Sequence, residues 1–195
     1  TAYAADLLHV KSLFSGSRTI YEAFPEMEQA MEDAGFRMDV KETFRTGYTF
    51  EEVNVREVRG ADENDQEVLN YSAIAVFYLD ADGNRLILNA EPEIPEINAE
   101  DRPAAQSRKI GKVTVNYFVD HYKFVPEDYE PTEEEKAWAQ EPGNYISYGS
   151  DEVEEQTFSF LVWSRDGIHY SIMDPRGAEQ SEVMFAMAEE LILAK

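Results

Sequence analysis

Thr157-Phe158-Ser159-Phe160-Leu161-Val162-Trp163 runs into Ser164-Arg165-Asp166-Gly167, and Ile168-His169-Tyr170-Ser171-Ile172-Met173 follows. This stretch decides the fold. The first run is apolar with alternation at Phe158-Ser159-Phe160 and the second alternates over Ile168 to Ile172, the period-two mark of a half-buried strand. An Asp-Gly pair between two such runs is a hairpin signal, because the tight turn needs positive φ at its centre. Downstream, Ser181 to Leu193 is amphipathic at helical spacing. The segment therefore predicts a β-hairpin feeding a C-terminal helix that covers one face of a sheet. Trp163, just before the turn, is expected to be buried against that helix, opposite Met184, Met187, Ala188 and Leu191.

Outward from the hairpin, the same two periods divide the chain. Tyr3 to Phe14 has Leu7, Leu8, Val10, Leu13 and Phe14 near helical spacing, and Ser15-Gly16-Ser17 reads as its end. Tyr21 to Ala34 predicts a second helix, with Pro25 in its first turn and Gly35 as its stop. From Gly47 the period changes to two. Tyr48 to Val58 alternates, Gly60 to Gln66 is a polar loop, and Glu67 to Leu79 is rich in β-branched and aromatic residues. Asp80-Ala81-Asp82-Gly83-Asn84 is a turn into a strand over Arg85 to Ala90. Glu91 to Ser107, with Pro92, Pro95 and Pro103, is irregular, and is either a surface loop or a boundary between two halves. Lys109 to Val125 is the longest strand candidate. Thr132-Glu133-Glu134-Glu135 has the form of a capping box opening a short helix. Tyr145 to Gly149 is a further short strand. The expected fold class is α+β, in one domain over residues 1–195. It consists of an antiparallel, curved sheet of hairpins packed by N-terminal helices and a C-terminal helix.

Composition narrows the function classes. The 43% hydrophobic content is too high for a disordered chain, and no apolar run is long enough to cross a bilayer. The net charge of -23, from 40 acidic and 17 basic residues, repels phosphate backbones and anionic membranes, so no nucleic-acid partner is expected. That charge reads either as a solvated surface or as a diffuse attractor of cations. The chain has no cysteine, which removes disulfides, thiolate metal sites and thiol nucleophiles. This is compatible with an extracytoplasmic location. The start, Thr1-Ala2-Tyr3-Ala4-Ala5-Asp6, has neither a signal peptide nor an initiating Met, and is expected to be that of a trimmed or processed chain.

No catalytic, cofactor-binding or metal-binding residue stands out. Asp80 to Asn84 resembles part of a calcium loop, but Arg85-Leu86-Ile87-Leu88 follows where further oxygen ligands are needed, so the hairpin turn is the better reading. His9, His121 and His169 show no ligand spacing. There is no nucleophile elbow, phosphate loop or dinucleotide fingerprint. Phe44, Tyr48, Phe50, Phe77, Tyr78, Tyr117, Phe118, Tyr122, Phe124 and Tyr129 alternate with polar residues. They are either core residues or the lining of an open sheet face that holds a peptide or apolar ligand.

Gly35-Phe36, Gly47-Tyr48-Thr49-Phe50, Val53-Asn54-Val55, the stretch from Val162 to Tyr170 and the terminal Phe185 to Ile192 carry a resemblance. Over Glu26 to the C-terminus the chain resembles a domain of uncharacterised function common in Firmicutes. That domain often forms the outer, C-terminal part of single-pass membrane proteins, some of them anti-sigma-factor-like. The resemblance implies an extracytoplasmic, cell-surface or membrane-anchored sensor or interaction domain of a Gram-positive envelope protein, tethered by an anchor upstream. It implies no catalytic residues. The expectation is thus a non-enzyme with no cofactor, whose partner is an unidentified protein, peptide or envelope ligand. A structural envelope module without a small ligand, and an envelope hydrolase without a recognisable motif, are the alternatives. An open sheet face with exposed aromatics would favour the first reading, a featureless surface the second, and a deep pocket of convergent polar groups the third.

Overall fold

The computed structural model describes residues 12–61, 64, 66–98, 102–177 and 180–194. Nine strands form an open, curved, mixed sheet, with a few helices against it, so the molecule is broadly α+β. The strands are β1 (Ser12–Tyr21), β2 (Thr49–Ala61), β3 (Glu67–Leu79), β4 (Arg85–Pro92), β5 (Gln106–Ile110), β6 (Val113–Val125), β7 (Asn144–Tyr148), β8 (Glu154–Arg165) and β9 (Ile168–Asp174). The helices are α1 (Met27–Ala34), entered through a 3-10 turn at Phe24–Glu26, then α2 (Pro95–Asn98), α3 (Glu133–Trp138) and α4 (Ser181–Ile192). Strand order is β1-β2-β3-β4-β9-β8-β6-β5, with β7 also on β6. The β4·β9 pairing joins the first and second halves of the chain in one sheet.

The deciding hairpin forms where expected. β8 and β9 pair antiparallel from Ser159↔Asp174 to Arg165↔Ile168. Asp166 and Gly167 take φ of 53° and 78°, the double positive φ of a type I′ turn. At the other Asp-Gly turn, Asp80 N–H donates to the Asn84 carbonyl and Gly83 N–H to the Asp80 carbonyl.

Alternation then sorts the side chains. Val53, Val55, Ile74, Val76, Tyr78, Leu86, Leu88, Leu161, Trp163, Tyr170 and Ile172 share the inner face and one buried core. Met27, Ala30 and Met31 of α1 and Met184, Phe185, Met187, Ala188 and Leu191 of α4 complete that core. Trp163 is buried there, stacked on its cross-strand neighbour Tyr170 at 5.1 Å. Two buried carboxylates and an arginine fasten the periphery. Glu190 on α4 accepts from Lys41 Nζ at 2.5 Å and Arg45 N–H at 2.9 Å. Asp174, fully buried, accepts two guanidinium hydrogen bonds from Arg176. Arg165 donates to the Ile192 carbonyl at 2.9 Å, placing a cation at the C-terminus of α4.

Three expectations need correction. Among the described residues, α1 with its 3-10 entry is the one helix before β2. Of the helix expected over Tyr3 to Phe14, Ser12 to Phe14 lie in β1, and residues 3–11 fall outside the described residues. Ser15-Gly16-Ser17 lies within β1 rather than at a helix end, and Tyr21 is that strand's last residue. Ser12 to Tyr21 finds a hydrogen-bonding partner in β2, and pairing between strands outweighs local spacing. The sheet is also not wholly antiparallel. β7 pairs parallel to β6, because residues 126–143, with α3, carry the chain back across before it pairs. In addition, the long strand read from Lys109 to Val125 is a hairpin, β5 turning through Gly111-Lys112 into β6.

Candidate functional site

The outer face of the sheet, away from α1 and α4, carries a group of polar side chains. Cross-strand registers set them in rows. Glu91 on β4 lies opposite His169 on β9, and His169 lies opposite Ser164 on β8. In the next row Asn89 faces Ser171, Ser171 faces Val162, and Val162 faces Asn116. The segment after β4 folds over this face through α2. Asn98 Nδ2 donates to Glu91 Oε1 at 2.8 Å, and Asn98 Oδ1 accepts from Ile94 N–H at 2.6 Å. Tyr71 O–H donates to Glu91 Oε2 at 3.1 Å. A half-open cleft of about 250 Å³ results, lined by Asn98, Arg102, Thr114, Asn116, Ser164 and His169 among others.

Arg102 forms one wall and closes a gap in the sheet edge. β5 pairs with residues 113–117 of β6 and β7 with residues 121–125. At residues 118–120, which no strand covers on that side among the described residues, Arg102 Nη1 donates to the Val119 carbonyl at 3.2 Å and Nη2 is ion-paired with Asp120. The guanidinium lies 5.0 Å from the Phe118 ring and 5.7 Å from Phe160, which stack on each other. Burial pushes the Asp120 carboxyl up, and Arg102 pulls it partly back. Gly143 makes the arrangement possible, since a Cβ there would stand 2.2 Å from Arg102 Nη1.

His169 is the titratable group of the cleft. Burial holds it below the ordinary imidazole range, against the opposing pull of Glu91 and Glu93. It is therefore neutral near pH 7. Its Nδ1 lies 3.4 Å from Ser164 Oγ. This is a hydroxyl beside a neutral imidazole, at the long limit of a hydrogen bond. The cleft can thus offer amides, hydroxyls and one imidazole to a ligand, while its guanidinium is already matched by a carboxylate.

The residues singled out in the sequence scatter. Asp80 is turned inward, with Oδ1 accepting from Asp82 and Asn84 N–H at 2.9 and 2.8 Å, so the calcium-like pattern is a satisfied turn. His121 is exposed, 3.1 Å from Thr157 Oγ1 and on the opposite face from His169, and His9 lies outside the described residues. Among the described residues no three His, Asp or Glu are placed to hold a metal ion. The ten aromatics divide. Phe44, Tyr48, Tyr78, Tyr117 and Phe118 are buried, whereas Phe50, Phe77, Tyr122, Phe124 and Tyr129 are half-buried. Sequence reasoning missed Arg102, Asn116 and Ser164 as a group. Only the alternation of β6 and β8 hinted at a shared face, and nothing local to Arg102 shows that it closes an edge. Compared with known protein families, characterised proteins and solved structures, the chain matches none of them.

Proposed function

We propose that this chain is an extracytoplasmic, non-catalytic binding domain of an envelope protein, and that it takes a small, uncharged, hydrogen-bonding ligand in the outer-face cleft. One observation carries the ligand class. The charged groups around the cleft are already engaged, Arg102 by Asp120 and Glu91 by Tyr71 and Asn98, while neutral amides and hydroxyls line it. A charged ligand would have to break a partly buried ion pair, at a cost that an uncharged ligand avoids. The cysteine-free composition and the resemblance to outer domains of Firmicutes membrane proteins support the location. The test is an amide-shift titration with neutral N-acetylated oligosaccharides and with their carboxylated counterparts. Saturable shifts at Asn116, Ser164 and His169 with the neutral set, lost in Asn116→Leu, are expected. Absence of shifts there with either set would sink the reading. For the location, protease treatment of intact source cells should degrade the domain.

The Ser164–His169 pair favours a second reading, an envelope hydrolase. A fluorophosphonate probe separates the two. Labelling of Ser164 that disappears in Ser164→Ala would establish a nucleophile, and the binding-domain reading expects no labelling.

A further inference from the structure

Edge strands present unpaired backbone groups, and proteins usually block them with charge, proline or a bulge. Among the described residues three strands have an open side: β1 at one end of the sheet, and β5 and β7 in tandem at the other. β1 carries Arg18 and a register break between Ser15 and Arg18. β5 carries Arg108 and Lys109. β7, Asn144-Tyr145-Ile146-Ser147-Tyr148, has none of these devices. Its register on β6 is unbroken, and among the described residues no strand lies on its far side. In a chain that is 29% charged, five consecutive uncharged residues on an open edge need a reason.

The surroundings of β7 point to one occupant. Tyr145 and Tyr148 are 40% and 53% exposed. Tyr145 stacks on Tyr122 at 4.8 Å, Tyr122 stacks on Phe124 at 5.6 Å and meets the edge of Phe158 at 5.4 Å. An aromatic ledge thus runs from the open edge onto the outer face. Because β6 and β7 are parallel, both end at the same side of the sheet, where β8 begins. Glu127 and Asp128 follow β6, Asp151 and Glu152 follow β7, and Glu154 opens β8 opposite Phe124. All five are exposed. The two lysines of the region, Lys123 and Lys136, are paired with Glu135 and Glu133.

We propose that β7 and its aromatic ledge dock a basic, strand-forming polypeptide segment of a partner protein, added as a new strand along the open edge. The backbone of β7 supplies the ladder, as in other strand-addition complexes. Tyr145, on the outer face with Tyr122, receives the stems and cationic heads of lysine or arginine, Tyr148 lies on the opposite face beside Val125, and the surrounding carboxylates supply the complementary field. A second copy of the chain is a poor occupant, since it brings the same net charge of -23 and an edge without a cation. Anionic polymers are repelled by the same field.

The test titrates the isotope-labelled chain with an octapeptide of alternating lysine and valine, with its glutamate–valine counterpart and with an octamer of lysine. The lysine–valine peptide should shift the amides of residues 144–148 and saturate, and the glutamate–valine peptide should do neither. Tyr148→Lys puts the missing blocking charge on an exposed position of the edge and should weaken binding roughly tenfold, the scale of adding a repulsion against a cationic strand. Tyr145→Ser serves as a second variant should Tyr148→Lys lower the melting temperature. Three outcomes would overturn the proposal: equal affinity and footprint for the lysine octamer, which would mean diffuse charge alone; unchanged binding in both tyrosine variants; or β7 shifts on concentrating the protein by itself, which would mean that a second copy occupies the edge.

Discussion

Trp163 and Gly143 show how single residues hold this sheet together. The Trp163 indole is buried in the core that α4 completes, stacked on Tyr170, so its removal leaves a void beside a long strand that is held on both sides. Trp163→Ala should cost about 3–5 kcal/mol in urea unfolding, with the m-value unchanged. That Trp163 and Met184, Met187, Ala188 and Leu191 turn into the core could be read from periodicity, because strand and helix periods are local properties. Gly143 is the opposite case. Its φ is +91°, and the atoms that exclude a side chain belong to Arg102 and Val119, far away in sequence. Gly143→Ala should displace the Arg102 guanidinium, leave Asp120 without its partner and cost about 1–3 kcal/mol, measured by chemical denaturation. Nothing in the sequence around Gly143 announces this, because the requirement arises from a gap between two edge strands.

At the scale of elements, capping, turn chemistry and the strand pairs joined by tight turns were legible, and strand partners distant in sequence were not. α3 opens as its sequence predicts. Thr132 Oγ1 accepts from Glu135 N–H at 3.2 Å, and Glu135 Oε2 accepts from Thr132 N–H at 2.7 Å. Glu135 also accepts from Lys123 at 2.5 Å and from Tyr129 O–H at 2.8 Å. Chiefly through Lys123, and then through these other donors, its carboxyl is pulled down to about 2 from an ordinary value of 4.5. A carboxyl with a lowered folded-state pKa stabilises the fold above its unfolded-state value and loses that contribution as pH falls through the folded-state value. Glu135→Gln should therefore flatten the fall in melting temperature between pH 4.5 and pH 2. An unchanged acid limb in the variant would show that Lys123 and Glu135 are not paired in solution. The capping box was readable because all its atoms lie within four residues. The Lys123 and Tyr129 contacts were not, since they depend on the crossover laying α3 against β6.

Over the whole molecule, the dominant physical fact is net charge. At -23 the surface concentrates divalent cations without a defined cage, so Ca²⁺ and Mg²⁺ should raise the melting temperature only slightly and in a salt-sensitive manner. Zn²⁺ should do no more, given the absence of cysteine and the separation of His121 and His169 on opposite faces. A large, stoichiometric rise with any one ion in a thermal melt would reveal a cage that this surface is not expected to form. The sequence by itself determined that the chain folds as α+β. It also determined where the hairpins turn at Asp82-Gly83 and Asp166-Gly167, and which face of β8 and α4 turns inward. Each of these rests on interactions within a few residues: side-chain alternation, positive φ at a tight turn, and an amphipathic stripe. Tertiary structure alone decided that Ser12 to Tyr21 is a strand, that β7 runs parallel to β6, and that Arg102 reaches the edge beside Asp120. It also decided that Ser164, His169 and Asn116 share a cleft. Those outcomes depend on which distant strand supplies the missing hydrogen bonds, a choice made by packing of the assembled sheet rather than by any local preference.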